Sequence, residues 1–337
     1  MGFWLFSIYM VISVSFLFVL LCVNPHGTGP LSYLSRFFYV KLPAFFDRIS
    51  LKILGPMGKS KISYYALYIF NRPNPFFQLT YLSLSLGGYY IFYAQAFPFI
   101  PNPLVPAIHM YLGSIMYLLA LCTFFAACWK SPGKVTQNNY KKYLSLFPYD
   151  NILFKENSCT TCKLQKPARS KHCSVCEGCV PKMDHHCVWI NQCVGYGNYK
   201  FFLAFLLSHS VICLYASMIG FMIFAYITLS ERLFTTVFTD REGNRVSGSW
   251  IVVFQYLIQE HQKLFFAESL CLVVGILLGG FFLYHLLLVK NNTTSNERMK
   301  RLDLQIDDKK AHLLNQPNIY NRGFLKNLEE VIDAEPF

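Results

Sequence analysis

Long apolar segments constrain the possible fold of this chain more than any other feature. Five of them approach or exceed the roughly 20 apolar residues that a helix needs to cross a bilayer. They run approximately over 3–23, 76–98, 104–128, 202–229 and 264–289. Charged residues make up only 14% of the 337 residues, against about a quarter in soluble proteins. The sequence therefore predicts an all-α polytopic membrane protein with about five transmembrane helices.

The distribution of Lys and Arg predicts how these helices are oriented. Stretch 24–75 carries seven basic residues and one acidic residue, and stretch 129–201 carries eleven basic residues and four acidic ones. By the positive-inside rule both are expected in the cytosol. The short connection 99–103 and the charge-balanced segment 230–263 are then expected on the lumenal side. We therefore expect four regions: helices 1–3 within 1–128 with the basic cytosolic loop 24–75, a cytosolic domain 129–201, helices 4–5 with a lumenal loop within 202–289, and a cytosolic tail 290–337.

Net charge and glycines add less to the prediction. The formal net charge of +12 could reflect either the anionic cytoplasmic leaflet or nucleic acid. Because the basic residues flank membrane segments, we expect the bilayer as partner and no nucleic acid. Small residues such as Gly87-Gly88, Gly275 and Gly279-Gly280 could let membrane helices approach closely. No internal repeat is evident in this reading.

A cysteine-rich window lies between the third and fourth apolar segments. Seven of the twelve cysteines fall between Cys159 and Cys193, together with three histidines, mostly in C-x-x-C spacings. That pattern favours metal over disulfides. Structural zinc takes four Cys or His ligands, so two ions would use eight of these ten residues. If both sites are Cys₃His, one Cys and one His remain over.

This window resembles the cysteine-rich domain of the DHHC family of protein S-palmitoyltransferases. The match in order and spacing extends from Cys159 through Asp184-His185-His186-Cys187 to Cys193, and the family signature continues through Gly195, Asn198 and Phe202. Gln192 departs from it, since members often have Asn there. The resemblance implies two structural zinc sites with the following ligands: Cys159, Cys162, His172 and Cys179 for one, and Cys173, Cys176, His186 and Cys193 for the other. His185 and Cys187 are the two residues left over.

Weaker similarities to the family lie outside the window. Ser131-Pro132-Gly133 is similar to the family's Asp-Pro-Gly, and Tyr320-Asn321-x-Gly323 followed by Asn327 resembles its C-terminal element. The segment 293–297 (Thr-Thr-Ser-Asn-Glu) resembles the family's Thr-Thr-x-Glu, with one residue too many. The alignment there stays open: either Glu297 is one residue late, or Ser295 replaces the second Thr. Family members usually have four membrane helices, so the helix at 3–23 is an addition.

The resemblance implies a two-step acyl transfer. A thiol must become a thiolate to attack a thioester, and an adjacent His held by a carboxylate can take its proton. We assign Cys187 as nucleophile, His185 as general base and Asp184 as the orienting group. Palmitoyl-CoA would donate the acyl group, which Cys187 would carry to cysteines of other proteins. Lys166, Arg169 and Lys171 could meet the CoA phosphates or could be ordinary positive-inside charges.

Two other functions compete with this interpretation. A membrane-tethered zinc module that recruits partners would explain the ligands, but not the unused His185 and Cys187 beside an aspartate. A transporter would need clusters of acidic or Arg residues within the membrane, and the apolar segments lack such clusters. His109, His209 and His285 lie within membrane segments, and we leave all three out of the site. We expect an enzyme of the endoplasmic reticulum or Golgi membrane whose active site faces the cytosol. Its substrates would be cytosolic-face or membrane-anchored proteins with juxtamembrane cysteines.

Overall fold

The computed structural model describes residues 29–239, 242–306 and 316–337 and is mostly helical. The predicted helix 3–23 lies outside these ranges. The helices, in chain order, are α1 (Pro30–Arg36), α2 (Leu42–Asn71), α3 (Phe76–Ala96), α4 (Ile108–Trp129), α5 (Tyr140–Leu144), α6 (Tyr199–Ser230), α7 (Trp250–Glu260), α8 (Gln262–Lys290), α9 (Ser295–Ile306) and α10 (Phe324–Ile332). The strands are β1 (Lys171–Cys173), β2 (Gly178–Val180), β3 (His185–Cys187), β4 (Gln192–Val194), β5 (Val237–Thr239) and β6 (Arg245–Ser247).

Three helices of the described ranges are long and apolar enough to cross a membrane. They are α4 with 22 residues, α6 with 32 and α8 with 29, and they cover the predicted segments 104–128, 202–229 and 264–289. The predicted segment 76–98 forms the 21-residue helix α3, whose Gln, Ser, Thr and Tyr side chains make it less apolar. The protein is therefore an integral-membrane protein with at least these three spanning candidates in its described part.

The basic stretch that precedes α3 is helical along most of its length. A π-helical turn, Phe37–Lys41, joins α1 to α2, and α2 departs from helical geometry at Gly55, which has φ 66° and is followed by Pro56. Glycine tolerates this left-handed conformation, and proline cannot donate a backbone hydrogen bond to the preceding turn. This region is thus two helical pieces that meet at Gly55-Pro56.

Helix α6 lies at the centre of the bundle. It packs most extensively against α8 and next against α4, while α3 packs mainly on α8. One buried apolar cluster lies between the bundle and the cysteine-rich region; its members include Phe124, Cys187, Ile190, Val194, Phe202, Phe205, Leu206, Val289 and Val331. A second cluster, with Ile100, Val105, Ile223 and Leu264 among its members, fills the opposite end. The cysteine-rich region therefore shares its core with the membrane helices.

Small residues bring α6 and α8 together at Gly275. A Cβ atom at this position would lie 2.9 Å from the Leu214 side chain and 3.1 Å from its backbone nitrogen. Ser210 Oγ also donates a hydrogen bond to the Gly275 carbonyl oxygen over 2.8 Å. The glycines Gly87, Gly88 and Gly280 have open space where a Cβ would be. The expected role in close helix packing thus applies to Gly275 and not to these three.

Gly275→Leu should lower the stability of the bundle, and Gly280→Leu should not. The larger side chain at 275 must displace Leu214 or push α6 away from α8, and such overpacking costs about 1–3 kcal/mol. The midpoint of thermal unfolding in detergent measures the effect. Equal midpoints for the two variants would contradict the packing described here.

Candidate active site and metal centres

Two clusters of cysteine and histidine side chains have the geometry of metal sites. The first consists of Cys159, Cys162, His172 and Cys179, and the second of Cys173, Cys176, His186 and Cys193. Within each cluster all ligand atoms lie within 4.8 Å of one another. The structure thus brings together the same two sets that the family resemblance implied, and each set could hold a metal ion.

The spacing between ligand atoms fits a tetrahedral ion. His172 Nδ1 lies 3.5, 3.3 and 3.9 Å from the sulfurs of Cys159, Cys162 and Cys179. In the second cluster His186 Nδ1 lies 3.4 Å from Cys176 Sγ, and the sulfurs of Cys176 and Cys193 are 3.6 Å apart. A tetrahedron with Zn–S of about 2.3 Å and Zn–N of about 2.0–2.1 Å has edges of about 3.5–3.8 Å. The residues present therefore suit zinc in size and in donor type.

Opposed histidine–cysteine pairs on two short hairpins supply half of the ligands. Strand β1 pairs with β2 so that His172 lies opposite Cys179, and β3 pairs with β4 so that His186 lies opposite Cys193. Directly opposite residues point to the same face of a hairpin. Each histidine and its opposite cysteine therefore reach one ion together. The remaining two ligands of each site come from a C-x-x-C turn whose second cysteine donates its backbone N–H to the first sulfur over 3.4 Å.

The two sites form an internal repeat of 14 residues. Cys159, Cys162, His172 and Cys179 become Cys173, Cys176, His186 and Cys193 when each number is raised by 14. The turns repeat as well, because Lys163, Glu177 and Asn191 all have positive φ angles of 50–55°. The expectation of no internal repeat is therefore wrong, and the repeat is visible in the sequence itself at an offset of 14 residues. Cys187 lies 14 residues after Cys173, so it begins a third turn of the same kind.

Strand alternation separates Cys187 and His185 from the metal ligand between them. Successive side chains of a strand point to opposite faces, so His186 faces its ligand cluster while His185 and Cys187 share the other face of β3. His185 Nδ1 is hydrogen-bonded to Asp184 Oδ2 over 2.7 Å, which leaves Nε2 for the thiol. Asp184 is buried, and its Oδ1 accepts the backbone N–H of Ser295 over 2.7 Å.

Electrostatics at this face favour the charged forms of the three groups. Burial raises the pKa of Cys187, but the interaction with His185 and the backbone N–H groups of Ile190 and Trp189 outweigh it, so that pKa is lowered. Burial lowers the pKa of His185, yet Asp184 and Cys187 raise it to about 9. Burial also raises the pKa of Asp184, and hydrogen bonding to His185 holds it below its usual value. The arrangement can hold a thiolate next to an imidazolium.

A buried arginine links the cysteine-rich region to the segment after α8. Arg169 is fully buried, and its Nε and Nη2 donate to the two carboxylate oxygens of Glu297 over 2.7 and 2.8 Å. Its Nη1 donates to Asn292 Oδ1 over 2.8 Å, and the guanidinium lies 4.5 Å from the Tyr320 ring centroid. Every face of Arg169 is thus occupied. The expectation that Arg169 could meet CoA phosphates is wrong, because its charge is neutralised inside the protein.

The start of α9 fixes the alignment that the sequence left open. Glu297 N–H donates to Thr294 Oγ1 over 3.2 Å, and Thr294 N–H donates to Glu297 Oε2 over 3.0 Å. This reciprocal pair is a capping box, whose sequence signature is Thr-x-x-Glu. Thr294 is therefore paired with Glu297. The next residue, Ser295, donates its backbone N–H to Asp184 Oδ1.

Two further contacts hold the third turn in place and were not expected from sequence. Asn74, at the start of α3, donates its backbone N–H to Asn191 Oδ1 over 3.0 Å. Gln192, the departure from the family pattern, donates to the Ala127 and Lys130 carbonyl oxygens at the end of α4. The turn that follows Cys187 is thereby tied to the ends of two helices.

The fold and this site define a class of protein, an integral-membrane protein with a cysteine–histidine–aspartate cluster on a metal-binding loop. Comparison with known proteins specifies it further. Residues 152–302 match the DHHC palmitoyltransferase family. The palmitoyltransferase ZDHHC4 of Bos taurus is 27% identical over 339 residues, covering 97% of this chain and 95% of that protein. ZDHHC4 of Rattus norvegicus is 31% identical over 67% of this chain and 68% of its own.

A fungal relative agrees with these two. Palmitoyltransferase swf1 of Schizosaccharomyces pombe is 29% identical over 290 residues, covering 85% of this chain and 74% of that protein. The chain therefore belongs to the DHHC palmitoyltransferase family. It is an enzyme that transfers palmitate to cysteines of other proteins.

His185→Ala and His186→Ala should have opposite effects on bound metal. His186 faces the second cluster, so removing it should lose about one ion per chain together with the order of its hairpin, because structural zinc contributes on the order of 10 kcal/mol in small modules. His185 faces away, so its variant should keep both ions while losing about 10²–10⁴ in rate, the usual contribution of a positioned base. Metal analysis and acyl-transfer rates of both purified variants test this. Metal lost from the His185 variant but retained by the His186 variant would reverse the assignment.

Proposed function

We propose that Cys187 carries the acyl group between its donor and the substrate protein. The observation that supports this most is the shared face of β3, where the thiol lies beside a histidine that a buried aspartate orients. In the first step the Cys187 sulfur attacks the thioester carbonyl, and the CoA thiolate leaves. In the second step a substrate thiolate attacks the acyl-Cys187 thioester and releases Cys187. Each step forms one C–S bond and breaks another.

In this mechanism His185 accepts the thiol proton and Asp184 orients His185. With Nδ1 engaged by Asp184, the imidazole presents Nε2 to the thiol of Cys187. The imidazole accepts the thiol proton before the first step and is available to accept that of the substrate thiol before the second. The Ser295 N–H on Asp184 keeps the carboxylate oriented in both steps.

Two zinc ions would act only as a scaffold. The ligands are Cys159, Cys162, His172 and Cys179 at one site and Cys173, Cys176, His186 and Cys193 at the other. Four protein ligands leave no open coordination position for substrate. Zinc would therefore fix the hairpins, and the chemistry would remain with Cys187.

The acyl donor is proposed to be palmitoyl-CoA, bound across the junction of the hairpin and the bundle. Cys187 lies in the same apolar cluster as Phe202, Phe205 and Leu206 of α6, and a chain buried there gains about 0.8 kcal/mol per CH₂. The CoA phosphates would lie on the hairpin side. Lys171 is exposed and Lys166 half-buried, and neither has an ion-pair partner among the described residues. They remain candidates for the phosphates, unlike Arg169.

We also propose the full membrane topology. Five spans, at about 3–23, 76–98, 104–128, 202–229 and 264–289, would place the cysteine-rich region 129–201 and the tail 290–337 in the cytosol. Regions 1–128 and 202–289 would then form the membrane domain, with 230–263 in the lumen of the endoplasmic reticulum or Golgi. Substrates would be proteins at the cytosolic face with cysteines next to the membrane, since the nucleophile lies where the hairpin meets the bundle.

Cys187→Ala should abolish acyl-enzyme formation and transfer while the metal content stays at about two ions per chain. The sulfur is the group that carries the acyl chain, and Cys187 is no metal ligand in either cluster. Hydroxylamine-sensitive labelling with a palmitoyl-CoA analogue measures it. Cys122→Ala is the matched control, because that thiol lies exposed on α4 and should not affect labelling. Transfer by the Cys187 variant at the wild-type rate would overturn the proposal.

Val246→Thr should introduce a glycan in the loop proposed to be lumenal. The substitution creates an Asn-x-Thr glycosylation sequon at Asn244, between the hairpin strands β5 and β6. The variant is expressed in cells, and its mass is compared before and after glycosidase treatment. Val246→Ala serves as the control without a sequon. If the sequon variant carries no glycan while an inserted sequon in the 129–201 region does, the proposed orientation is inverted.

A further inference from the structure

A fully buried histidine of α8 lies next to the β3–β4 hairpin and takes no part in the proposed acyl transfer. The ring centroid of His285 is 6.1 Å from that of His185. Phe202 and Phe281 pack on it with centroid distances of 5.1 and 4.6 Å, and none of its surface is exposed. An ionisable side chain within a membrane helix is a functional candidate by default, and this one borders the site.

Only one of the two ring nitrogens of His285 is satisfied. Nδ1 is hydrogen-bonded to the Tyr199 hydroxyl over 2.8 Å, and Nε2 has no partner anywhere in the part of the chain that the structure describes. Native proteins rarely leave a buried polar atom unpaired, so such an atom requires an explanation. We assign the Tyr199 hydroxyl as the donor in this bond, which fixes the proton of the neutral imidazole on Nε2. His285 then presents an unused N–H donor in an apolar environment.

The proposed reaction requires such a donor close to Cys187. When a thiolate adds to the thioester carbonyl, the π electron pair moves onto oxygen, and it returns when the other C–S bond breaks. Donors aimed at this oxygen stabilise the transition state most where water is excluded. The acyl carbonyl would sit at Cys187, within the apolar cluster that also holds Phe202 and Val289. His285 contacts Phe202 from α8, four residues before Val289.

We propose that His285 is a further catalytic residue, whose Nε2–H donates a hydrogen bond to the carbonyl oxygen of the acyl group in both half-reactions. Tyr199 is then a positioning residue that acts through His285 by fixing its tautomer and ring orientation. This inference rests on the proposed acyl-enzyme at Cys187. It assigns no proton transfer to His285, so the roles of His185 and Asp184 are unchanged.

The test compares His285→Leu, which removes the donor, with His285→Gln, whose amide N–H can reach the position of Nε2. A third variant, Tyr199→Phe, removes only the orienting hydroxyl. His109→Leu is a matched control, because His109 Nδ1 forms the same kind of bond with the Tyr215 hydroxyl, over 2.7 Å, at the start of α4 and away from the hairpin. Pre-steady-state acylation by palmitoyl-CoA gives the maximal rate and the half-saturating concentration, and metal analysis monitors the fold.

We expect His285→Leu to slow acylation by about 10²–10³, the effect of losing one oxyanion donor, with half-saturation within about threefold of wild type and about two ions per chain. The glutamine variant should be at least about tenfold faster than the leucine variant, Tyr199→Phe should lie between wild type and leucine, and His109→Leu should match wild type.

Three results would overturn the inference: a leucine variant within about threefold of wild type, a glutamine variant no faster than leucine, or a Tyr199→Phe variant at the wild-type rate. If both His285 variants lose metal and are therefore misfolded, the acylation rate of Tyr199→Phe alone tests the inference. A Cys187→Ala variant that still forms the acyl-enzyme at the wild-type rate would instead refute the proposed function, independently of the His285 variants.

Discussion

The active face depends on the pairing of His186 with Cys193 across β3 and β4. Strands of three residues in a two-stranded hairpin do not persist in water by themselves. A metal ion that binds both members of this pair would fix the register of the hairpin. Once the register is fixed, strand alternation places His185 and Cys187 on the face of β3 opposite to His186. Metal coordination would thus determine which side chains are free to react, and in the proposed mechanism the metal takes no part in the reaction.

The active face also depends on how the cysteine-rich region docks on the membrane bundle. The buried guanidinium of Arg169 joins Glu297 of α9 and Asn292 after α8, and Asn327 of α10 closes the end of α8 through the Lys290 carbonyl oxygen. Removing one partner of a buried ion pair is costly because it leaves an unpaired charge. The same segment supplies the Ser295 N–H to Asp184. Docking of the hairpins and orientation of the Asp184 carboxylate are therefore coupled.

Sequence alone gave the parts of this structure that rest on local pattern. The apolar runs 104–128, 202–229 and 264–289 are helices because their length and composition suit a bilayer, and the Cys/His spacing indicated two four-ligand sites. The features that could not be predicted depend on contacts between residues far apart in the sequence. Arg169 and Glu297 are 128 residues apart, so no local sequence pattern around either residue predicts their ion pair. Thr294 and Glu297 are a different case, because the Thr-x-x-Glu spacing of a capping box is local and can be seen in the sequence.

The 14-residue repeat suggests a physical origin for the proposed reactivity of Cys187. In the first two turns the cysteine sulfur accepts a backbone N–H from the residue three positions on, and Cys187 has the same interaction with Ile190. Where those turns place a second cysteine, the third has the apolar Ile190, which is buried with Phe202 and Phe124. A backbone that suits a metal-bound thiolate therefore surrounds a sulfur that no metal cluster includes. Because the ligand position is apolar, the space where an ion would bind instead faces the hydrophobic cluster. A thiolate held in this way is both stabilised and available, which is what an acyl carrier needs.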